Sequence, residues 1–135
     1  MNVQALIEKY AKAVSEQNVD QFLSLYHPDI VAYDAWDRWA YQGSHQWSQV
    51  PTDWFNEPGE EVFQSKFREV FVEGSGDVVL VRGLIDFSSN ASDRDVLTNR
   101  FSWIVNKVNG EYRIVHEHTS MPIERETGHY VRGQA

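Results

Sequence analysis

Val3, Leu6, Ile7, Tyr10, Ala13 and Val14 recur at three- and four-residue intervals, which predicts an amphipathic helix over 2–16 with Glu8, Lys9, Lys12 and Glu16 mostly off its apolar stripe. Tyr10 falls on or beside that stripe. Asn18, with Gln21 three residues on, suits the N-cap of a second short helix carrying Phe22, Leu23 and Leu25, which "HPD" at 27–29 then ends. From Asp29 the pattern turns extended, and "IVAYDAWDRWAYQG" predicts a strand, a turn and a short second strand ending at Gly43. "SHQWSQVPTDWF" predicts a short helix interrupted near Pro51, and "NEPGEE" a loop.

The second half changes period. Residues 61–73, 77–89, 95–107 and 111–121 are rich in Val, Ile, Phe, Thr and Trp, and "EGSGD", "SSNASD" and "KVNG" separate them. Strands joined so tightly make an antiparallel meander, and the helices before it must cover one face. The expected class is α+β, a curved antiparallel sheet wrapped around N-terminal helices. Residues 1–122 form one domain on this reading, since 135 residues suit a single core, and 123–135 form a polar tail.

"YRIVHEHTSMP", residues 112–122, then draws attention, because two histidines stand two apart in a strand. Strict alternation puts Tyr112, Ile114, His116, His118 and Ser120 on one face and Arg113, Val115, Glu117 and Thr119 on the other. With Ile114 facing the core, the histidines would look inward toward a cavity. On the strand before, Arg100, Ser102 and Ile104 form one set, and Phe101, Trp103 and Val105 the other. An apolar set opposite the cavity would need cover, which argues for a homodimer.

Charge and composition remove several classes. Twenty acidic residues against twelve basic ones give a net charge of −8, which repels nucleic acid and anionic membranes. The absence of cysteine removes disulfides, thiolate catalysis and cysteine-ligated zinc. The first residues lack the pattern of a signal peptide and no apolar run approaches membrane-spanning length, so a cytoplasmic protein is expected.

The stretches "LIEKYAKAVSEQNVDQFLSLYHPDIVAYDAW" and "RFSWIVNKVNGEYRIVHEHTSMP" resemble the NTF2-like superfamily of cone-shaped α+β domains. That superfamily includes SnoaL-like polyketide cyclases, ketosteroid isomerases and scytalone dehydratase. The last strand is similar to that of SnoaL-like and DUF4440-type members, and to the association domain of calcium/calmodulin-dependent kinases. The resemblance implies an NTF2-like cone enclosing a cavity for a small molecule. It also implies roles for Tyr10 as oxyanion donor and Asp34 as general base, at the spacing of the isomerase branch. That branch has a protonated aspartic acid as second donor where this chain offers Arg100, Phe101 and Ser102.

The candidates follow from chemistry as well. Asp34 in "AYDAW" stands between aromatic rings, and an apolar shell raises a carboxyl pKa toward proton-transfer range; the alternative is a turn-forming carboxylate, or one half of an ion pair with Arg100. His118 could donate to developing negative charge while His116, Arg100 and Ser102 orient a ligand; the alternatives are a structural pair or a metal pair completed by Asp34, Asp86 or His129. Arg100 would suit a carboxylate-bearing or phenolic ligand, or pair with Asp34, Asp86 or Glu117. Trp36, Trp39, Trp47 and Trp54 could wall a pocket or simply pack, with Trp36 and Trp54 taken as ligand-binding. The expected activity is acid–base chemistry on a hydrophobic, oxygenated small molecule without metal or other cofactor. The rival is a non-catalytic binding or accessory dimer.

Overall fold

A computed structural model describes residues 2–57, 63–74, 76–89 and 92–133. The opening periodicity forms α1 (Val3–Ser15), and its buried residues are the six of the predicted stripe. Asn2 caps it by accepting the Ala5 N–H. Asn18 likewise accepts the Gln21 N–H, 2.9 Å away, to start α2 (Val19–Leu23). That helix ends before "HPD", which instead lies inside β1 (Tyr26–Tyr33). β2 (Tyr41–Gln42), α3 (Gly43–Trp47) and α4 (Gln49–Phe55) follow, so the break in the helical segment falls at Ser48, ahead of Pro51. The meander is β3 (Phe63–Glu73), β4 (Val78–Ser89), β5 (Ser92–Val108) and β6 (Glu111–Ser120). Parts of the expected 56–61 loop and of the 73–77 and 88–93 turns lie outside the described residues.

These strands form one six-stranded sheet in the order β2-β1-β6-β5-β4-β3. The meander is antiparallel as expected. β1, however, inserts parallel to β6, with Ala32 opposite Glu117 and Tyr33 opposite His118. α1 lies against β3, and the helices cover one face of the curved sheet. Bulges supply the bend. In β3, Arg68 pairs with Leu84 but Phe71 with Arg82, leaving an irregularity at Glu69, whose φ is 54°. Gly83 faces that bend. A Cβ there would sit 3.1 Å from the Arg68 and Glu69 carbonyl oxygens and from the Phe101 ring, so only glycine lets the strands approach.

The second bulge decides the site. Ile104 pairs with His116 and Val105 with Ile114, so Val115 is the extra residue in β6. One extra residue reverses every side chain beyond it. Ile114 is buried as expected, but past Val115 the buried residues are Glu117 and Thr119. The alternation predicted for His116 and His118 is therefore corrected: both lie on the outer face. The partner set is corrected with them. Phe101, Trp103 and Val105 are buried in the core, and Arg100 and Ser102 are exposed on the far side.

Candidate functional site

Between the helices and the inner face lies a cavity of about 700 Å³. Its apolar wall comes from Phe22, Trp47, Val50, Trp54, Phe63 and Phe87, with Trp36 and Tyr41 nearer the loops. Three of the four clustered tryptophans thus reach the lining, while Trp39 is 96% exposed.

Parallel pairing of β1 with β6 sets Asp34, one residue past the end of β1, beside Thr119. The Thr119 hydroxyl donates to Asp34 Oδ1 at 3.0 Å and itself accepts the Ala35 N–H at 3.0 Å. The Trp36 N–H reaches Oδ2 at 3.3 Å. Burial raises the Asp34 pKa, and the Thr119 and Trp36 donors, with the Ala35 N–H beside them, favour the ionised form and offset only part of the rise. Its shell is not the one expected from "AYDAW". The Tyr33 ring turns to the outer face, where it meets the rings of His116 and His118 at 5.1 and 6.2 Å.

Glu117 is the second carboxyl, and it is 3% exposed. Its Oε1 accepts both the Tyr26 hydroxyl at 2.6 Å and the Trp103 indole N–H at 2.9 Å. No described residue donates to Oε2. Burial pushes its pKa up to about 7, with the Asp34 charge adding to the rise and the two donors resisting it. Tyr10 also lines the cavity, its ring edge-on to Phe67 at 5.3 Å and its hydroxyl without a partner among the described residues. Burial, then the charges of Glu117 and Asp34, push its pKa well above 10, so it remains a donor. Two shielded N–H donors of lining residues, Asn99 Nδ2 and Trp47 Nε1, find no acceptor among the described residues.

A family model described as a SnoaL-like domain matches residues 3–124. The chain belongs to the SnoaL-like domain family. Among solved structures, an NTF2-like protein of unknown function from Pseudomonas putida KT2440 is similar over 98% of this chain and 93% of its own, at 20% identity and a TM-score of 0.90. A proposed scytalone dehydratase from Novosphingobium aromaticivorans DSM 12444 covers 98% and 92% at 11% identity and a TM-score of 0.75. A proposed calcium/calmodulin-dependent protein kinase II association domain from Xanthomonas campestris covers 87% and 84% at 17% identity and 0.76. These similarities show the NTF2-like fold. No curated protein matches the sequence.

Of the residues singled out from the SnoaL-like sequence, Tyr10, Asp34, Trp36 and Trp54 line the cavity. His116, His118, Arg100 and Ser102 do not. His116 Nδ1 lies 2.7 Å from the Val31 carbonyl oxygen, and Arg100 Nε donates to Ser120 Oγ at 3.2 Å, so neither reaches Asp34. Asp86 is held by Arg68 at 2.7 Å and Thr98 at 2.6 Å. Among the described residues no three histidines, aspartates or glutamates converge in a metal-ligating group. Glu117, Thr119, Tyr26 and Asn99 were not among the candidates. The adjacent apolar pair Ile114–Val115, which breaks strict alternation, is the one local sign of the bulge that turns Glu117 inward.

The polar tail has structure too. An isolated bridge joins Ile123 to Tyr130, and the Thr98 N–H donates to the Arg132 carbonyl at 2.7 Å. This folds the segment over the cavity, where the Tyr130 ring meets Trp36 edge-on at 5.5 Å and both Tyr130 and Arg132 join the lining.

Proposed function

We propose that this SnoaL-like domain catalyses proton transfer on a hydrophobic, oxygenated small molecule, as in an isomerisation, cyclisation or dehydration. One observation carries the reading: two carboxyls in unlike environments, the half-buried Asp34 and the buried Glu117, open into the same aromatic-walled cavity. Asp34, half-buried, keeps the Thr119 and Trp36 donors that favour its carboxylate, which suits a general base. Glu117, more deeply buried, with both its donors on Oε1 and near neutrality in pKa, suits the acid that returns the proton. Tyr10 adds a neutral hydroxyl for negative charge developing on a substrate oxygen. The donor role first expected of His118 beside Tyr10 is left to Tyr10, and the orienting roles expected of His116 and Arg100 lapse, because those three lie on the other side of the sheet. The proposed scytalone dehydratase among the structural relatives is consistent with such chemistry.

Deuterium exchange at the α-carbon of cyclic ketones such as β-tetralone, followed by NMR in D₂O, tests this without knowledge of the natural substrate. The wild-type chain is expected to accelerate exchange. Asp34→Asn should cut the rate by roughly 10²-fold or more while ketone binding changes by less than about threefold. Binding without exchange in the wild type would instead support the rival, a ligand-binding module.

We also propose that the outer sheet face forms a homodimer. Tyr33, Phe71, Val78 and Leu80 are 45%, 48%, 54% and 47% exposed there or along its edge, more apolar surface than a monomer favours.

A further inference from the structure

We propose that Asn99 is a specificity-determining residue that receives a second, non-reacting carbonyl oxygen of the ligand, so that the cavity takes ring compounds with uncharged acceptor oxygens at two separate positions. This assignment of substrate class rests on the cavity being the working site proposed above. Asn99 lies on β5 opposite Ile85 of β4, on the inner face with Leu97 and Phe101. The last paired residue of β6, Ser120, stands opposite Arg100, so Asn99 falls one place beyond that ladder. Its neighbours on the inner face are thus apolar. Asn99 is 3% exposed and lines the cavity, yet its Nδ2 is shielded from solvent with no acceptor, and no described residue donates to its Oδ1. Burying a carboxamide without a hydrogen bond is costly. A leucine of nearly the same shape would avoid that cost, so the fold alone gives no reason for an amide.

The chemistry of the unpaired atoms sets what the ligand brings. Trp47 Nε1, on α3, is likewise shielded and unpaired among the described residues, and an indole N–H can only donate. The Tyr10 hydroxyl adds a third donor to the lining. The inner lining therefore has donors to spare, and they call for acceptors. The torsion of the Asn99 amide about Cβ–Cγ is broad and roughly two-fold, and no described partner holds it, so Nδ2 can turn to an oxygen in the cavity. Among the described residues five carboxyl groups line the same space, so a neutral carbonyl suits it better than a carboxylate. Tyr10 meets the Trp103 ring at 5.9 Å, and Asn99 stands four residues before Trp103 on the same face, about 13 Å along the strand. The two donors are therefore assigned to different oxygens, Tyr10 to the reacting one and Asn99 to the other.

The test titrates two probes of one shape, 6-acetyl-β-tetralone and 6-isopropenyl-β-tetralone, in which C=CH₂ replaces the second C=O, against the full chain at pH 7 by calorimetry. The acetyl compound is expected to bind at least about tenfold more tightly, the order of effect when a buried donor gains or lacks its acceptor. Asn99→Leu should bring the two probes within about twofold of each other and, free of ligand, melt at or above the wild-type temperature, since it removes an unpaired buried amide. A wild type that binds both probes alike, or a preference that Asn99→Leu leaves in place, would overturn the proposed subsite. So would a variant that melts lower, because the amide would then serve the fold. Exchange at the β-tetralone α-carbon reports on the acid–base chemistry separately: exchange without the preference leaves that chemistry standing, and the preference without exchange leaves the subsite standing in a binding module. Failure of both probes to bind would remove both.

Discussion

At the scale of single residues, the informative groups are those whose surroundings set their charge. Asp34 was legible because an aspartate among aromatics is unusual enough in sequence to raise a question, and Tyr10 came forward through the resemblance to the isomerase branch. Glu117 was not, since between two histidines it reads as the solvated member of the trio. Its burial makes a testable demand on stability. The folded pKa of about 7 exceeds the ordinary 4.5, so the unfolded chain releases a proton that the folded chain retains. Stability is therefore fully present below about pH 4.5, falls as pH rises, and has lost its full share above about pH 7. The loss is on the order of 3 kcal/mol if the whole shift is realised. Glu117→Gln keeps an acceptor oxygen for Tyr26 and Trp103 but has no proton to release. Melting curves at pH 5 and pH 8 should show the wild type losing more stability across that range than the variant, and the variant melting higher at pH 8. Equal pH dependence of the two proteins would contradict the buried, protonated state.

At the scale of elements, one inserted residue outweighs the rest of the pattern. Helix α1 followed its apolar period without error because 3.6-residue periodicity averages over four turns. A strand offers no such averaging. Its period is two, and Val115 shifts the phase for all that follows, sending Glu117 and Thr119 inward and the histidines out. Deleting Val115 removes the extra residue and lets Ile114 and His116 pair with Val105 and Ile104 in regular alternation, which leaves Glu117 and Thr119 inward and the imidazoles outward. The deletion variant is therefore expected to keep its cooperative melt and its loss of stability between pH 5 and pH 8, and Val115→Ala to stay within about 1 kcal/mol of wild type. A deletion variant that loses this pH dependence would mean that Glu117 no longer faces inward and that Val115 is not the extra residue.

At the scale of the whole molecule, the outer face remains to be covered. The proposed homodimer predicts a solution mass near twice the chain's 15.7 kDa, and a monomer on substitution Leu80→Glu, because a charge would then be buried opposite its own copy. Light scattering on both proteins decides this, and a monomeric wild type removes the proposal. The face itself was misread from sequence, since Phe101, Trp103 and Val105 were assigned to it and lie in the core. The amino-acid pattern alone determined the elements, the α+β class and the pairing of consecutive strands, all of which follow from local periodicity and turn chemistry. It also brought forward Asp34, and the family resemblance added Tyr10. Only the tertiary structure decided which side of β6 faces the cavity, that β1 joins the sheet beside β6 and so carries Asp34 to Thr119, and that the tail folds across the opening. The first turns on the register of β5 against β6, and the others on pairings between segments distant in the chain, such as Asp34 with Thr119 and Thr98 with Arg132, which the local pattern does not fix.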